Sequence, residues 1–264
     1  REQDAETGRL SMRGDDFRNA STAPSLMLVH VGHTCGSSVK QFLTRNDKLL
    51  NKFHQKHAGW AQVHVHPVKP WMVDGAEGVI ITLRDPIDRL VSAYNTKACL
   101  DELPSSMTQE EFANCQQRST TNLRADSGEP DKLAACFPNV TAYADGIDDK
   151  TDCGSLARKA LFDGRFGHLA MGSCFYMGGL LNRLKDKAVH VINAETCEDD
   201  MQAVPKWLGM KEKQQKMFKL TERVDGDFPH HGDAISSEGR KRLQRHLAHE
   251  YALFGELQKL GKPF

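Results

Sequence analysis

The 264-residue sequence predicts an α/β fold, a parallel β-sheet flanked by helices, and three observations predict it. "VIITLR" at 79–84 and "AVHVIN" at 188–193 are short apolar runs of strand length, as expected where helices cover both faces of a sheet. Helical patterns follow each of them, and strands that alternate with helices pair in parallel. "VHVGHTCGSSVK" at 29–40 passes from a strand through a Gly/Ser loop into a helix. Such a junction gathers backbone N–H groups at a positive helix end, which suits an anion.

The elements follow in order. Residues 1–24 are polar and read as a flexible N-terminal tail, with 25–264 as a single domain. Ser25 to Val31 reads as the first strand, and Ser37 to Leu50 as a helix with Val39, Phe42, Leu43, Leu49 and Leu50 on one face. Ala61 to His66 is a short alternating strand. After 79–84, "DPIDRLVSAYN" starts a helix, Asp85 as cap and Pro86 in the first turn. Beyond 188–193 comes a helix near Asp199 to Leu208, then a helical face of Leu243, Leu247, Tyr251, Phe254 and Leu257.

Composition narrows the function. Lys+Arg and Asp+Glu both number 35, so no net field attracts nucleic acid or a membrane surface, and any anion site is local. No run reaches the roughly 18–20 apolar residues of a membrane helix. The chain begins at Arg1, so membrane association is expected only through an N-terminal anchor missing from this sequence.

Seven cysteines are present, and Cys99, Cys115, Cys136, Cys153 and Cys174 fall in a polar stretch, read as a loop-heavy, disulfide-held insertion over 98–175. With the sequons at Asn19 and Asn139 they favour a secretory compartment, the Golgi lumen being the expectation. Seven is odd, and Cys35 in the Gly/Ser loop is the candidate free thiol, with 15 pairings open to the other six.

The loop departs from the nucleotide-hydrolase pattern G-x-x-x-x-G-K-[ST]: it is one residue short between Gly32 and Gly36 and lacks the Lys. ATP or GTP chemistry is therefore not expected. Its glycines permit close backbone approach, and Ser37 and Ser38 add hydroxyls. At the second junction, Arg84 and Ser92 would offer a phosphate a guanidinium fork and a hydroxyl.

These two segments carry a resemblance. "VHVGHTCGSS" resembles the 5'-phosphosulfate loop P-K-T-G-[GT]-[TS]-[ST] of the sulfotransferases, and "ITLRDPIDRLVSAYN" their 3'-phosphate motif R-D-P-x-x-R-x-x-S-x-Y. Arg84, Asp85, Pro86, Arg89, Ser92 and Tyr94 all stand at the family spacing. "SCFYMGGLLNRLKDKAVHVINAETCEDD" and "ISSEGRKRLQRHLAHEYALFGEL" are similar to later family segments, and the Cys-rich insertion resembles the luminal carbohydrate-directed branch and algal relatives.

The resemblance implies a P-loop-like sulfotransferase fold and in-line transfer of a sulfuryl group from 3'-phosphoadenosine 5'-phosphosulfate (PAPS). The acceptor would be a hydroxyl or amine on a glycan or small molecule, with 3'-phosphoadenosine 5'-phosphate (PAP) as product and no metal. It assigns His33, Thr34, Cys35, Gly36, Ser37 and Ser38 to the 5'-phosphate, and Arg84 with Ser92 to the 3'-phosphate. His33 stands where the family has Lys, so the alternative is a catalytically silent PAPS- or PAP-binding module. Imidazolium at His33 would donate to the leaving oxygen in place of that Lys.

A general base is needed, and "QVHVHP" offers His66 first and His64 second, on one strand face by their spacing of two. Arg89 is expected to pair with Asp85 four residues earlier, Tyr94 to lie in the core, and Lys40 on a helix surface. A metal site built from His54, His57, His64 and His66 would leave the Arg84 motif unexplained. Lys211, Lys213, Lys216 and Lys219, and Arg240, Lys241, Arg242 and Arg245, read as solvated helix faces rather than a glycan grip. The loop 222–233 is a candidate cover for the site. Acceptor identity and oligomeric state stay open.

Overall fold

The structure, a computed structural model, describes residues 26–53, 60–64, 66–98, 129–219 and 235–261. Residues 1–24, the Asn19 sequon, His54, His57, Cys99, Cys115 and the 222–233 loop lie outside the described residues.

Four strands, β1 (Leu26–Val29), β2 (Trp60–Val63), β3 (Gly78–Leu83) and β4 (Ala188–Asn193), form one sheet in the order β2-β1-β3-β4. Every pairing is parallel, with Leu26 opposite both Trp60 and Gly78, and Gly78 opposite Ala188. From β1 the chain goes to one side for β2 and then crosses to the other for β3. The carboxyl ends of β1 and β3 therefore flank a topological switch point, where open α/β sheets bind ligands.

Both faces of the sheet are covered, which is why its strands are mainly apolar. Met27, Val29, Val79, Ile81 and Val189 pack on one face, against Met72 and Val73 of α3 (Pro70–Gly75), Tyr176 and Met177 of α8 (Ser173–Met177) and Leu257 of α13 (Ala248–Gln258). Leu26, Leu28, Ile80 and Ile192 pack on the other, against Val39, Phe42 and Leu43 of α1 (Gly36–Arg45) and Met201 and Val204 of α10 (Cys197–Trp207).

Three boundaries differ from expectation for local reasons. The first helix stops at Arg45 because the Asn46 amide turns back, donating to Phe42 O and Lys219 O at 2.9 Å each. A short helix, α2 (Asp47–Phe53), continues beyond it. β2 ends at Val63, so His64 and His66 follow the strand instead of alternating along it. The C-terminal apolar face divides at Leu247 into α12 (Ser237–His246) and α13.

The described part of the Cys-rich stretch is helical, which corrects the loop-heavy expectation. It forms α5 (Glu129–Cys136), α6 (Val140–Gly146), α7 (Asp152–Ala160) and a 3-10 helix (Gly164–Leu169). Three of the Asn, Thr and Asp residues that read as loop composition are caps. Asn139 accepts from Ala142 N at 2.8 Å, Thr151 from Gly154 N at 3.1 Å, and Asp163 from Arg165 N at 3.0 Å. A Cys136–Cys153 disulfide ties α5 to α7.

With α4 (Pro86–Ala98) and α12 these helices enclose a second core around Ile87, Leu90, Tyr94, Leu133, Tyr143 and Leu243. Tyr94 is buried there as expected, its hydroxyl donating to Phe137 O at 2.7 Å.

Two sequence expectations are overturned. Cys35 is not free: it is bonded to Cys197, 162 residues away, and Cys174 is the free thiol among the described residues. The partner is legible only in three dimensions, because α1 and α10 cover the same sheet face. Nor does Arg89 pair with Asp85. Asp85 caps α4 by accepting from Ile87 N at 3.0 Å and Asp88 N at 3.1 Å, and also accepts from the Tyr251 hydroxyl at 2.9 Å. Arg89 lies on the buried face of the helix and donates to His168 O at 2.5 Å and Leu169 O at 3.2 Å.

Arg89→Met is expected to lower unfolding free energy by about 3 kcal/mol in a denaturant titration, since two buried carbonyls lose a charged donor. A loss below about 1 kcal/mol would show that this clamp is not a structural tie.

Candidate functional site

The first junction follows β1. His30 and Val31 are buried, and α1 begins at Gly36. Between them the loop curls through two left-handed non-glycine residues, His33 with φ 63° and Cys35 with φ 55°. Such conformations cost about 1–3 kcal/mol each and persist where surrounding structure enforces them. Part of that enforcement comes from Thr34, which is buried, donates to Val31 O at 2.5 Å and shares a hydrogen bond with the Thr82 hydroxyl at 2.6 Å. The Cys35–Cys197 disulfide supplies more.

Both loop glycines are required by close approach. A Cβ on Gly36 would overlap the His30 ring, and one on Gly32 the His168 ring. Ser38 is buried beneath the helix start, whereas Ser37 is exposed, and Lys40 points to solvent as expected.

The second junction follows β3, where Arg84 is half-buried ahead of α4. Ser92, two turns into α4, places Oγ 3.2 Å from His33 Nδ1. One hydrogen bond thus joins the two motifs at the switch point between β1 and β3. A third strand end adjoins them through the disulfide. There Asp200 organises the β4–α10 turn, accepting from Asn193 N at 2.8 Å and from the Thr196 hydroxyl at 2.7 Å.

Four histidines line the loop. His30 and His64 stack with centroids 4.0 Å apart, His64 and His168 stack at 5.2 Å, and His168 meets His33 edge-on at 5.3 Å. His64 Nδ1–H donates to His30 O at 3.0 Å, which leaves Nε2 to carry the lone pair. Gln62 Nε2 donates to His30 Nδ1 at 2.7 Å.

Burial is the main cause that pushes all four below the ordinary imidazole pKa, and His168 reaches about 3. Neighbouring positive groups push the same way: Arg89 and Arg84 on His33, and Lys40 on His30 and His64. At neutral pH the rings are therefore uncharged.

His33, Thr34, Gly36, Ser38, Ser92 and His64 meet here, and Cys35 contributes its backbone to the loop while its sulfur is bonded away. His66 follows in an exposed bend, within electrostatic reach of His64. Sequence patterns missed His30 and His168. His168 lies in the 3-10 helix, far from either motif in sequence, and is tied to the second motif by Arg89, which holds its carbonyl, and to the first by its ring against Gly32 and His33. Half of the residues in the basic segments are engaged: Arg240 with Asp88 at 2.9 Å, Arg245 with Asp148 at 2.7 Å, Arg242 with Asp145 O, and Lys216 with Glu212 at 2.7 Å. No helix among the described residues is long and apolar enough to cross a membrane.

No curated protein and no solved structure matches the chain. A family model described as "Sulfotransferase family" matches residues 20–255, a span that includes both junctions, the 3-10 helix and the C-terminal helices. With nearly the whole length covered by that match and the two motifs joined through His33 and Ser92, the chain belongs to the sulfotransferase family.

Proposed function

We propose that this protein moves the sulfuryl group of PAPS to an acceptor hydroxyl or amine on a glycan or small molecule. The observation that carries the reading is the 3.2 Å contact of His33 with Ser92, which unites the 5'- and 3'-phosphate motifs. The residues fit such a donor. The loop curls at the start of a ten-residue helix, its glycines let the His30 and His168 rings pack directly on the loop backbone, and the surrounding side chains are cationic or can become so.

The donor, when bound, supplies an activated sulfuryl group on a phosphate leaving group. His33, Thr34, Cys35, Gly36, Ser37 and Ser38 would surround the 5'-phosphate, and Arg84 with Ser92 the 3'-phosphate. When the Ser92 hydroxyl donates to His33 Nδ1, Nε2 bears the ring proton and His33 acts as a neutral donor to oxygen. His64 is the preferred general base. Its Nδ1–H is anchored on His30 O, so Nε2 is oriented and free of a proton at neutral pH. His66, exposed beyond the strand, is the second candidate. Two disulfides support a secretory-lumen location.

Calorimetric titration with PAP is expected to show Arg84→Ala weaker than the unaltered protein by about 1.5–3 kcal/mol, the worth of hydrogen bonds to a charged group. Unchanged affinity would remove Arg84 from the site. Incubation with labelled PAPS and a panel of glycans and small alcohols should yield a sulfated product. PAP binding without any turnover would instead support the silent binding module.

His64→Ala should abolish transfer while sparing PAP affinity, and His66→Ala should retain it. Because a base must be unprotonated and the His64 pKa is depressed, kcat/KM for the acceptor at saturating PAPS should hold steady from pH 8 down to about 6.5 and fall only below that. If His66→Ala is the inactive variant, the two roles exchange.

A further inference from the structure

We propose that His168, which lies outside both motifs, is part of the donor site, and that it and His33 take up a proton from solution when the phosphate anion binds. This rests on the donor reading above and adds the source of the site's charge. His168 is 9% exposed, and its Nδ1 is buried without a hydrogen-bond partner in the structure. An orphaned ring nitrogen in the interior is costly and calls for an explanation. The ring lies directly against Gly32, where any Cβ would collide with Nδ1, and touches His33 and His64.

Its placement is built in. Arg89 clamps the His168 and Leu169 carbonyls, and Gly167 takes a positive φ of 57° to turn the 3-10 helix there. The helix is thereby bent toward the loop and anchored to α4, the helix that also carries Ser92.

The charged groups around the four rings have one sign. His30 faces His33, His64, His168 and Lys40; His33 faces His64, His168, Arg84 and Arg89; His64 faces Lys40 and His66; and His168 faces His64 and Arg89. Among the described residues no carboxylate figures in these sets, and the nearby Glu250 acts on Arg89 instead. A buried imidazole in such company stays neutral, as the depressed values of all four rings reflect. A phosphate dianion reverses the balance, supplying the missing negative charge.

Where the family's loop carries a permanent ammonium, this loop carries His33, and protonation at a ring nitrogen of His33 or His168 makes good the charge. One N–H bond forms, the proton comes from water or buffer, and the ligand is otherwise unchanged.

PAP is titrated calorimetrically into the intact protein, His168→Phe and His33→Lys from pH 5.5 to 8.5, in buffers of different ionisation enthalpy. The titration of the ligand's own phosphates is common to all three, so differences report the protein. His168→Phe keeps a ring against Gly32 but removes both nitrogens. At pH 6 it should bind PAP about tenfold more weakly, take up fewer protons, and unfold at no lower temperature than the unaltered protein. His33→Lys should flatten the dependence of affinity on pH. Equal affinity, proton uptake and pH slope in all three proteins would overturn the linkage while leaving the donor site standing. Failure of the unaltered protein to bind PAP at any pH would overturn the donor reading itself, and this inference with it. Should His168→Phe not fold, His168→Gln gives the same comparison.

Discussion

The parallel pairing of β1 with β3 is the constraint on which the rest depends. Leu26 opposite Gly78 sets Val29 level with Ile81, so Thr82 stands beside the point where β1 gives way to the loop. Its hydroxyl then meets that of Thr34 at 2.6 Å, inside a core from which water is excluded. Slipping the register by one residue would turn Thr82 to the opposite face. The loop would lose that support, and Ser92 would no longer meet His33. Sheet register thus positions a polar contact several residues beyond the sheet.

A second tie works from the other side. Arg89 has a buried guanidinium, which is tolerated because it is satisfied by carbonyls at 2.5 and 3.2 Å and lies within the electrostatic reach of Glu250. Those carbonyls belong to the 3-10 helix, so the cost of burying Arg89 purchases the placement of His168. The Cys-rich helices are therefore more than an appendage. Their core, centred on Tyr143 and Leu133, backs the helix that delivers a ring to the loop. A fold usually described by its sheet here relies on a separate helical layer to complete one wall of its crevice.

For the donor proposed above, local electrostatics reconcile a polyanion site with a chain of zero net charge. Surface arginines on α12 meet carboxylates, such as Arg240 with Asp88 and Arg245 with Asp148, and these exposed pairs contribute little to any field. The crevice is different because Arg84, Arg89 and four imidazoles are concentrated where the dielectric is low. Burial keeps the imidazoles neutral in the free protein, which avoids the repulsion that four cations would suffer. The same low dielectric strengthens their attraction to an anion once it arrives.

What the sequence disclosed and what it withheld divide along the range of the forces involved. Strands β3 and β4, the Asp85 cap and the buried Tyr94 were legible because periodicity, capping and apolar runs act within a few residues of themselves. That Ser92 and the loop belong together was legible through the resemblance of both segments to motifs of one family, and the His33–Ser92 contact joins them. Cys35, Arg89 and His168 were not, and all three for one reason: each is decided by a partner from another part of the chain, Cys197 for Cys35, the 3-10 helix carbonyls for Arg89, and Arg89 with His33 for His168. The i, i+4 rule proposes Asp85 for Arg89 because it weighs only neighbours on a solvated helix. At a buried position desolvation decides instead, and the guanidinium goes to the carbonyls that would otherwise be left without a donor. A side chain's best local partner predicts its contact only where water remains to moderate the alternatives, and this crevice is built from the positions where it does not.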